Sequence, residues 1–192
     1  MTPSKKIAVT GGIGSGKTML CGFLRDMGYP VFSCDEISAA LWREKDYVNG
    51  LMELFPAFVT GGVLQKPAFT AAVFADRELR ARLEAYAHPR IMERLLARMA
   101  RERVSFAEVP LLYEGGFAPL FDGVVVVARE SEKRIRAVCR RDGISEDEVR
   151  ARMHSQRDWT AGEMSGVYVV MNNGSAEDLR RKAGELIKFF QV

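Results

Sequence analysis

The stretch Gly11-Gly12-Ile13-Gly14-Ser15-Gly16-Lys17-Thr18 matches the phosphate-loop pattern G-x-x-x-x-G-K-[ST] at every fixed position. A short apolar segment, residues 6–10, precedes the loop, and residues 19–28 follow it with apolar side chains at helical spacing and a final glycine. The motif requires this order of strand, glycine-rich loop and helix. We therefore predict that the chain binds a nucleoside triphosphate, although the loop alone does not identify the reaction.

Each residue type in the loop has a role in binding phosphate. Glycines allow the tight turn that brings backbone N–H groups to phosphate oxygens, and the helix that follows adds the positive end of its dipole. Lys17 is expected to reach the β- and γ-phosphates, and the Thr18 hydroxyl is expected to ligate Mg²⁺. An incidental glycine-rich turn is the alternative, which the matching flanks disfavour. The predicted nucleotide ligands are Gly12, Ile13, Gly14, Ser15, Gly16, Lys17 and Thr18.

Length and composition are those of one ordinary globular domain. The chain has 192 residues, of which 47% are hydrophobic and 28% charged, and its net charge of +3 favours anionic ligands only mildly. So small a charge does not indicate nucleic acid, and no apolar run reaches about 18 residues, so we expect neither nucleic acid nor a membrane as partner. We also expect no signal peptide, because the N-terminal residues lead directly into the first predicted strand. Cys21, Cys34 and Cys139 are far apart and form no C-x-x-C pattern, which predicts reduced thiols in the cytoplasm.

Strand-like segments alternate with helical patterns, which predicts an α/β fold with a parallel five-stranded sheet flanked by helices. The strand candidates are residues 7–10, 31–33, 104–109, 124–128 and 168–171. Two regions interrupt this rhythm. Residues 36–103 predict an inserted helical substrate subdomain, and residues 140–163 predict a helical lid that contains the capping box Ser145-Glu146-Asp147-Glu148. The core then comprises residues 1–35, 104–139 and 164–192.

Acidic residues follow two of the predicted strands, at the sheet edge where parallel α/β proteins bind ligands. Asp35 comes after the second strand and is a candidate general base that accepts the proton of an acceptor hydroxyl. The alternative role is an N-cap of the next helix, and the two roles are compatible. Glu108 and Glu114 lie near the end of the third strand. Either acid could support hydrated Mg²⁺, and an ordinary surface position is an equally good interpretation of each.

Seven arginines between residues 134 and 157 are assigned to the predicted lid, and such side chains neutralise the charge of a transferring phosphoryl group. We expect two or three of them to contact phosphate and the others to lie on solvated faces. The arginines are Arg134, Arg136, Arg140, Arg141, Arg150, Arg152 and Arg157. Trp42 and Trp159 could each stack on a base. The helical spacing around Trp42 favours a core position, so Trp159 is the better stacking candidate.

Six segments, in chain order, resemble the dephospho-coenzyme A kinase family. They are the phosphate loop with Val9 and Thr10 before it, Ser33-Cys34-Asp35, Ala87-His88-Pro89 with Ile91, Pro110-Leu111-Leu112-Tyr113-Glu114, Arg141-Asp142-Gly143 with Arg152 and Gln156, and Asn172-Asn173-Gly174-Ser175. The loop alone is specific only for the superfamily. Six matching segments in one order, over nearly the whole chain, are highly specific.

The resemblance implies a P-loop kinase that uses ATP and Mg²⁺ to phosphorylate the ribose 3′-hydroxyl of dephospho-coenzyme A, the last step of coenzyme A synthesis. It implies these catalytic residues: Asp35 as base, Lys17, Arg141 and Arg152. It implies an ATP contact from Asn172, and acceptor contacts from Asp35, Lys66, His88, Leu111 and Glu114. Both a monomer and a small homo-oligomer stay open.

The chain departs from the family pattern at several positions. Ser33 stands where the family has the first Asp of D-A-D, Lys66 replaces a usual arginine, and Gly162 replaces a usual lysine. Two alternatives are therefore kept, namely another small P-loop kinase acting on a nucleoside, nucleotide or shikimate-like hydroxyl, and a degenerate member that binds ATP without activity. A GTPase-like switch is disfavoured because neither D-x-x-G nor N-K-x-D occurs in the sequence.

Overall fold

The computed structural model describes residues 4–154 and 167–192, and within them the chain forms seven β-strands and eight α-helices. The strands are β1 (Lys5–Thr10), β2 (Val31–Ser33), β3 (Val59–Thr60), β4 (Val63–Leu64), β5 (Val104–Glu108), β6 (Gly123–Ala128) and β7 (Val167–Met171). The helices are α1 (Lys17–Asp26), α2 (Cys34–Leu41), α3 (Lys45–Leu54), α4 (Lys66–Ala75), α5 (Arg77–Met99), α6 (Ser131–Asp142), α7 (Glu146–His154) and α8 (Ala176–Phe190).

Five strands form one parallel sheet in the order β2-β5-β1-β6-β7. Ile7 of β1 pairs with Phe106 of β5 on one side and with Gly123 of β6 on the other. Strand β6 is buried over its whole length, as its four consecutive valines predict for a strand covered on both faces. The predicted five-stranded parallel sheet is confirmed, although β5 ends at Glu108, one residue before its predicted end.

Helices α1 and α8 contribute apolar side chains to the core of this sheet. In α1, Leu20 and Leu24 are fully buried, and they lie four residues apart on one helix face. In α8, Leu179, Ala183 and Leu186 form the same kind of stripe. Burial of one such leucine stabilises the fold by about 1.5–3 kcal/mol. This packing anchors α1, and with it the end of the phosphate loop that α1 continues.

The chain divides into two compact units, of which the first comprises Met1–Ser33 and Arg98–Val192 and the second Cys34–Ala97. The second unit packs helices around Phe69, whose ring centroid lies 4.9 Å from that of Phe55 and 5.4 Å from that of Phe58. The predicted insertion, residues 36–103, overlaps this unit, but Asp35 belongs to the unit and residues 98–103 do not. Its role in binding the acceptor stays a prediction.

A two-stranded antiparallel hairpin, β3–β4, lies inside the region where only helices were expected. Its turn residues Gly61 and Gly62 have φ values of 59° and 74°. Two-residue hairpin turns of this kind need positive φ at both positions, which glycine supplies. The two glycines therefore mark a hairpin turn, and the expectation that residues 36–103 are purely helical was wrong.

The described part of the predicted lid region consists of the end of α6 and helix α7. The capping box is present, because the Ser145 N–H donates to Oε2 of Glu148 at 2.9 Å and the Glu148 N–H donates to Oγ of Ser145 at 3.3 Å. Val149 of α7 is fully buried against Ile135 and Val138 of α6, so α7 contributes to a small apolar core of its own. Residues 155–163, which include Arg157, Trp159 and Gly162, lie outside the described residues.

All three cysteines are among the described residues, and none of them forms a disulfide. Burial raises the pKa of the Cys21 thiol to about 12. The described helices were also compared with the requirements of a bilayer span, and none is both long and apolar enough to cross one.

Candidate active site

The phosphate loop connects β1 to α1 through glycines in a left-handed conformation. Gly11, Gly14 and Gly16 have φ values of 142°, 74° and 100°, which other residues adopt at a cost. The Lys17 ammonium donates to the carbonyl oxygens of Gly11, at 2.8 Å, and Gly12, at 3.1 Å. This places the cation over the loop, in the concavity that binds phosphate in phosphate-loop proteins.

Thr18 and Glu108 meet at the first turn of α1. The Thr18 hydroxyl donates to Oε1 of Glu108 at 2.9 Å, and Glu108 is only 9% exposed at the end of β5. A hydroxyl and a carboxylate are hard oxygen ligands of the type that Mg²⁺ prefers, so the residues present fit this ion. Glu114 is exposed in the turn after β5. Of the two acids considered from the sequence, Glu108 is therefore the one that contacts Thr18.

Arg134 braces the loop from α6. Its Nε donates to the carbonyl oxygen of Ile13 at 2.9 Å, and the residue is only 5% exposed. Gly12 packs closely on the guanidinium, because a Cβ added there would lie 2.1 Å from Nη2 of Arg134. Counting Arg134 among the lid arginines was wrong. The signal that was missed is the position of Arg134 four residues before the buried Val138, which puts both on one helix face.

Asn172, in the C-terminal part of the chain, also stabilises the phosphate loop. It follows β7 and is buried, and its Nδ2 donates to the carbonyl oxygen of Ser15 at 2.8 Å. A Cβ added at Gly16 would lie 2.2 Å from this same nitrogen. Asn172 therefore holds the backbone of the loop, and its predicted contact with ATP stays a prediction.

Arg141 and Arg152, the two lid arginines predicted to be catalytic, share Asp142 as a partner. Arg141 binds it through Nε to Oδ1 at 2.6 Å and through Nη2 to Oδ2 at 2.9 Å. Nη1 of Arg152 lies 3.9 Å from Oδ2. The Arg141 hydrogen bonds, with a smaller contribution from the charge of Arg152, hold the pKa of Asp142 below its ordinary value. The structure thus brings the two cations together around one exposed carboxylate.

Asp35 lies in the first turn of α2 and is exposed. Because α2 begins at Cys34, Asp35 is inside the helix, and the alternative of an N-cap was wrong. It lines a cavity of about 430 Å³ that also contains Trp42 and Lys66. Trp42 is half-buried and lines this cavity, so it is not a simple core residue.

The other predicted acceptor contacts lie in different parts of the chain. His88 is half-buried within α5, next to Pro89. Leu111 follows β5 with a φ of 53° and 38% exposure, whereas the next residue, Leu112, is fully buried. Positive φ at a leucine is strained, and such strain is found at functional sites. It agrees with a functional role for the turn but identifies no ligand.

The dephospho-CoA kinase family profile matches residues 5–178, nearly the whole chain. The chain belongs to the dephospho-CoA kinase family. A dephospho-CoA kinase of Thermus thermophilus is 38% identical over 177 residues, which cover 91% of this chain and 86% of the relative. A dephospho-CoA kinase of Geobacillus kaustophilus is 31% identical over an alignment that covers 95% of this chain and 94% of the relative.

A solved structure, TT1252 from Thermus thermophilus, superposes with a TM-score of 0.83 at 35% identity and covers 97% of this chain and 98% of its own. Together with the family match and the phosphate loop, this superposition shows the fold of a P-loop kinase. Ser33 stands where the dephospho-CoA kinase sequence pattern has an aspartate. This serine is 8% exposed and pairs with Glu108 in the sheet. A second carboxylate there would lie close to Glu108 and carry a like-charge cost.

Proposed function

We propose that the protein transfers the γ-phosphate of ATP to the ribose 3′-hydroxyl of dephospho-CoA, giving CoA and ADP in the last step of CoA biosynthesis. The observation that carries this proposal is a complete phosphate loop, with Lys17 over it and Thr18 bonded to Glu108, in a chain of the dephospho-CoA kinase family. Phosphoryl transfer depends mainly on positioning and charge neutralisation, and the loop residues supply both.

The loop residues hold the triphosphate of ATP. Backbone N–H groups of residues 12–16 and the Lys17 ammonium bind the phosphate oxygens, and Arg134 and Asn172 keep the loop in shape. Thr18, supported by Glu108, would hold Mg²⁺. When bound, this ion neutralises charge on the phosphates. Arg141 and Arg152 add positive charge to the triphosphate when they exchange Asp142 for phosphate oxygens.

Asp35 accepts the proton of the acceptor hydroxyl. It comes two residues after Ser33, the last residue of β2, which pairs with Glu108 in the sheet. The carboxylate orients the hydroxyl oxygen toward the γ-phosphorus, and general-base help of this type contributes about 10²–10⁴ in rate. Lys66, His88, Leu111 and Glu114 complete the proposed acceptor contacts.

The test is ADP release by the purified protein with ATP, Mg²⁺ and dephospho-CoA, with adenosine, AMP, shikimate and no acceptor in parallel. We expect ADP only with dephospho-CoA, together with CoA as product. Release with another acceptor would favour a sister kinase, and ATP binding without release would favour a degenerate member. Family membership supports neither alternative.

Matched variants test the roles of the residues. Lys17→Ala and Asp35→Asn are expected to lower kcat at least ~10²-fold. Glu36→Gln removes a neighbouring exposed carboxylate of the same helical turn and is expected to keep wild-type turnover. Near-normal turnover of Asp35→Asn would remove the base assignment.

We also infer a cytoplasmic location, because the three cysteines are far apart in sequence and form no C-x-x-C pattern. The oligomeric state, a monomer or a small homo-oligomer, stays a prediction that light scattering tests.

A further inference from the structure

The cavity of about 430 Å³ in the second unit has one wall formed by a single helix face. The lining residues Asp35, Ser38, Ala39 and Trp42 have the i, i+3, i+4, i+7 spacing of such a face. Trp42 continues the face beyond the end of α2, because its N–H donates to the carbonyl oxygen of Ser38 at 3.2 Å. Arg43 and Lys66 complete the lining. Local helix geometry therefore determines where the Trp42 ring stands relative to Asp35.

Lys66 and Trp42 contact each other inside this lining. The Lys66 ammonium lies 4.5 Å from the centroid of the Trp42 ring, within the range of a cation–π interaction. The ring is itself held by Tyr47 and Phe69, whose centroids lie 5.8 Å and 6.2 Å away. A lysine has a long flexible stem and a point charge. Contact with a fixed aromatic ring restrains that charge to the cavity.

We propose that Trp42 is a positioning residue for acceptor binding, which holds the Lys66 ammonium toward the cavity so that this cation pairs with the diphosphate of dephospho-CoA. This inference rests on the proposed function. Arg43 places a second cation on the same cavity, which suits a ligand that carries two negative phosphates. A guanidinium at this position would have a rigid planar geometry of its own, whereas a lysine ammonium has none. The contact with Trp42 supplies the restraint that the lysine side chain lacks.

The test measures KM for dephospho-CoA and for ATP separately in four variants. Lys66→Met is expected to raise KM for dephospho-CoA about tenfold, and Trp42→Leu about fivefold, with kcat and KM for ATP within about twofold of wild type. Trp42→Phe keeps an aromatic face and is expected to stay within about twofold. Lys45→Met removes an exposed cation of the same unit that does not line the cavity, and it should leave both constants unchanged.

The double variant Trp42→Leu/Lys66→Met decides whether Trp42 acts through Lys66. We expect its KM for dephospho-CoA to equal that of Lys66→Met alone, because the restrained group is already absent. Multiplied effects, an unchanged KM in Trp42→Leu, or an equal rise in KM for ATP would each overturn the proposal. Trp42→Phe is the control for a folding defect, because it keeps an aromatic ring beside Tyr47 and Phe69.

A binding measurement separates failure of this inference from failure of the proposed function. If the wild type makes no CoA, the proposed function fails. Trp159→Phe leaves Trp42 as the one tryptophan of the chain, and its fluorescence is then titrated with dephospho-CoA. A change in emission that Lys66→Met removes supports the cavity as the binding site even without turnover. Unchanged emission overturns the inference.

Discussion

Replacing Gly12 by alanine tests how closely the phosphate loop packs on Arg134. The φ of Gly12 lies outside the left-handed region, so an alanine there meets no left-handed backbone strain. The added Cβ, however, would lie 2.1 Å from Nη2 of Arg134 and 2.6 Å from its Cζ. Because Arg134 is only 5% exposed, its guanidinium has to move within a packed region.

The expected cost follows from the bond that this movement breaks. Nε of Arg134 donates to the carbonyl oxygen of Ile13 at 2.9 Å, and a hydrogen bond from a charged group contributes about 1.5–3 kcal/mol. We therefore expect Gly12→Ala to lower the free energy of unfolding by about 2 kcal/mol. For a chain of this length that corresponds to a Tm about 4–8 °C lower. KM for ATP should rise as well, since the loop loses a brace beside its phosphate-binding amides.

Thermal unfolding of Gly12→Ala, Arg134→Met and the double variant is the assay. In the double variant the clash is absent, so its Tm should be close to that of Arg134→Met alone. Gly184→Ala is the matched control, because a Cβ at this position of α8 meets nothing within 4 Å. It should stabilise the protein by about 0.5–1 kcal/mol, as alanine does in a helix interior. A wild-type Tm for Gly12→Ala, or additive losses in the double variant, would show that Gly12 does not pack against the Arg134 guanidinium.

Three further predictions concern charge. Glu108→Gln should raise the Mg²⁺ concentration needed for half-maximal turnover about tenfold, because the neutral amide binds the ion less well than the carboxylate. An unchanged Mg²⁺ requirement would show that Glu108 does not support the ion. In a Cys34→Ser/Cys139→Ser variant, the thiol of Cys21 should react with a thiol reagent at pH 8 only on unfolding, because burial raises its pKa to about 12. The stability that the neutral thiol contributes is complete below its ordinary pKa of 9.0 and is lost as the pH rises toward 12. Fast labelling of the native protein would contradict this prediction. Arg141→Ala should raise the pKa of Asp142 toward its ordinary value in an NMR titration, because the hydrogen bonds that lower this pKa are lost. The stabilisation by this pair is present above the ordinary pKa of 3.8 and is lost as the pH falls through the lowered pKa. An unchanged titration midpoint would show that Arg141 is not the cause of the lowered pKa.

Much of the fold could be predicted from local patterns. The run of valines in β6 and the loop between β1 and α1 are features of a few consecutive residues, and the sheet forms where they indicate. The hairpin at Gly61 and Gly62 was missed, because strands of two residues show no periodicity. Its signal was the glycine pair itself, which suits a two-residue turn.

The candidate site was predicted unevenly. Lys17 and Thr18 belong to a contiguous motif, so their chemistry could be read directly from residue order. Arg134 is more than 100 residues away in sequence, and its hydrogen bond to Ile13 depends on how α6 packs. The contact of Lys66 with Trp42 likewise joins residues that no spacing rule relates.

The class of fold, the phosphate loop and the family follow from residue order alone, because each is encoded in short runs of residues or in the order of such runs. Three contacts become visible only once the chain is packed: the acid bonded to Thr18, the arginine bonded to the loop and the aromatic ring beside Lys66. These contacts join side chains of distant segments, and their energies depend on distance and burial. Neither quantity exists until the segments are packed.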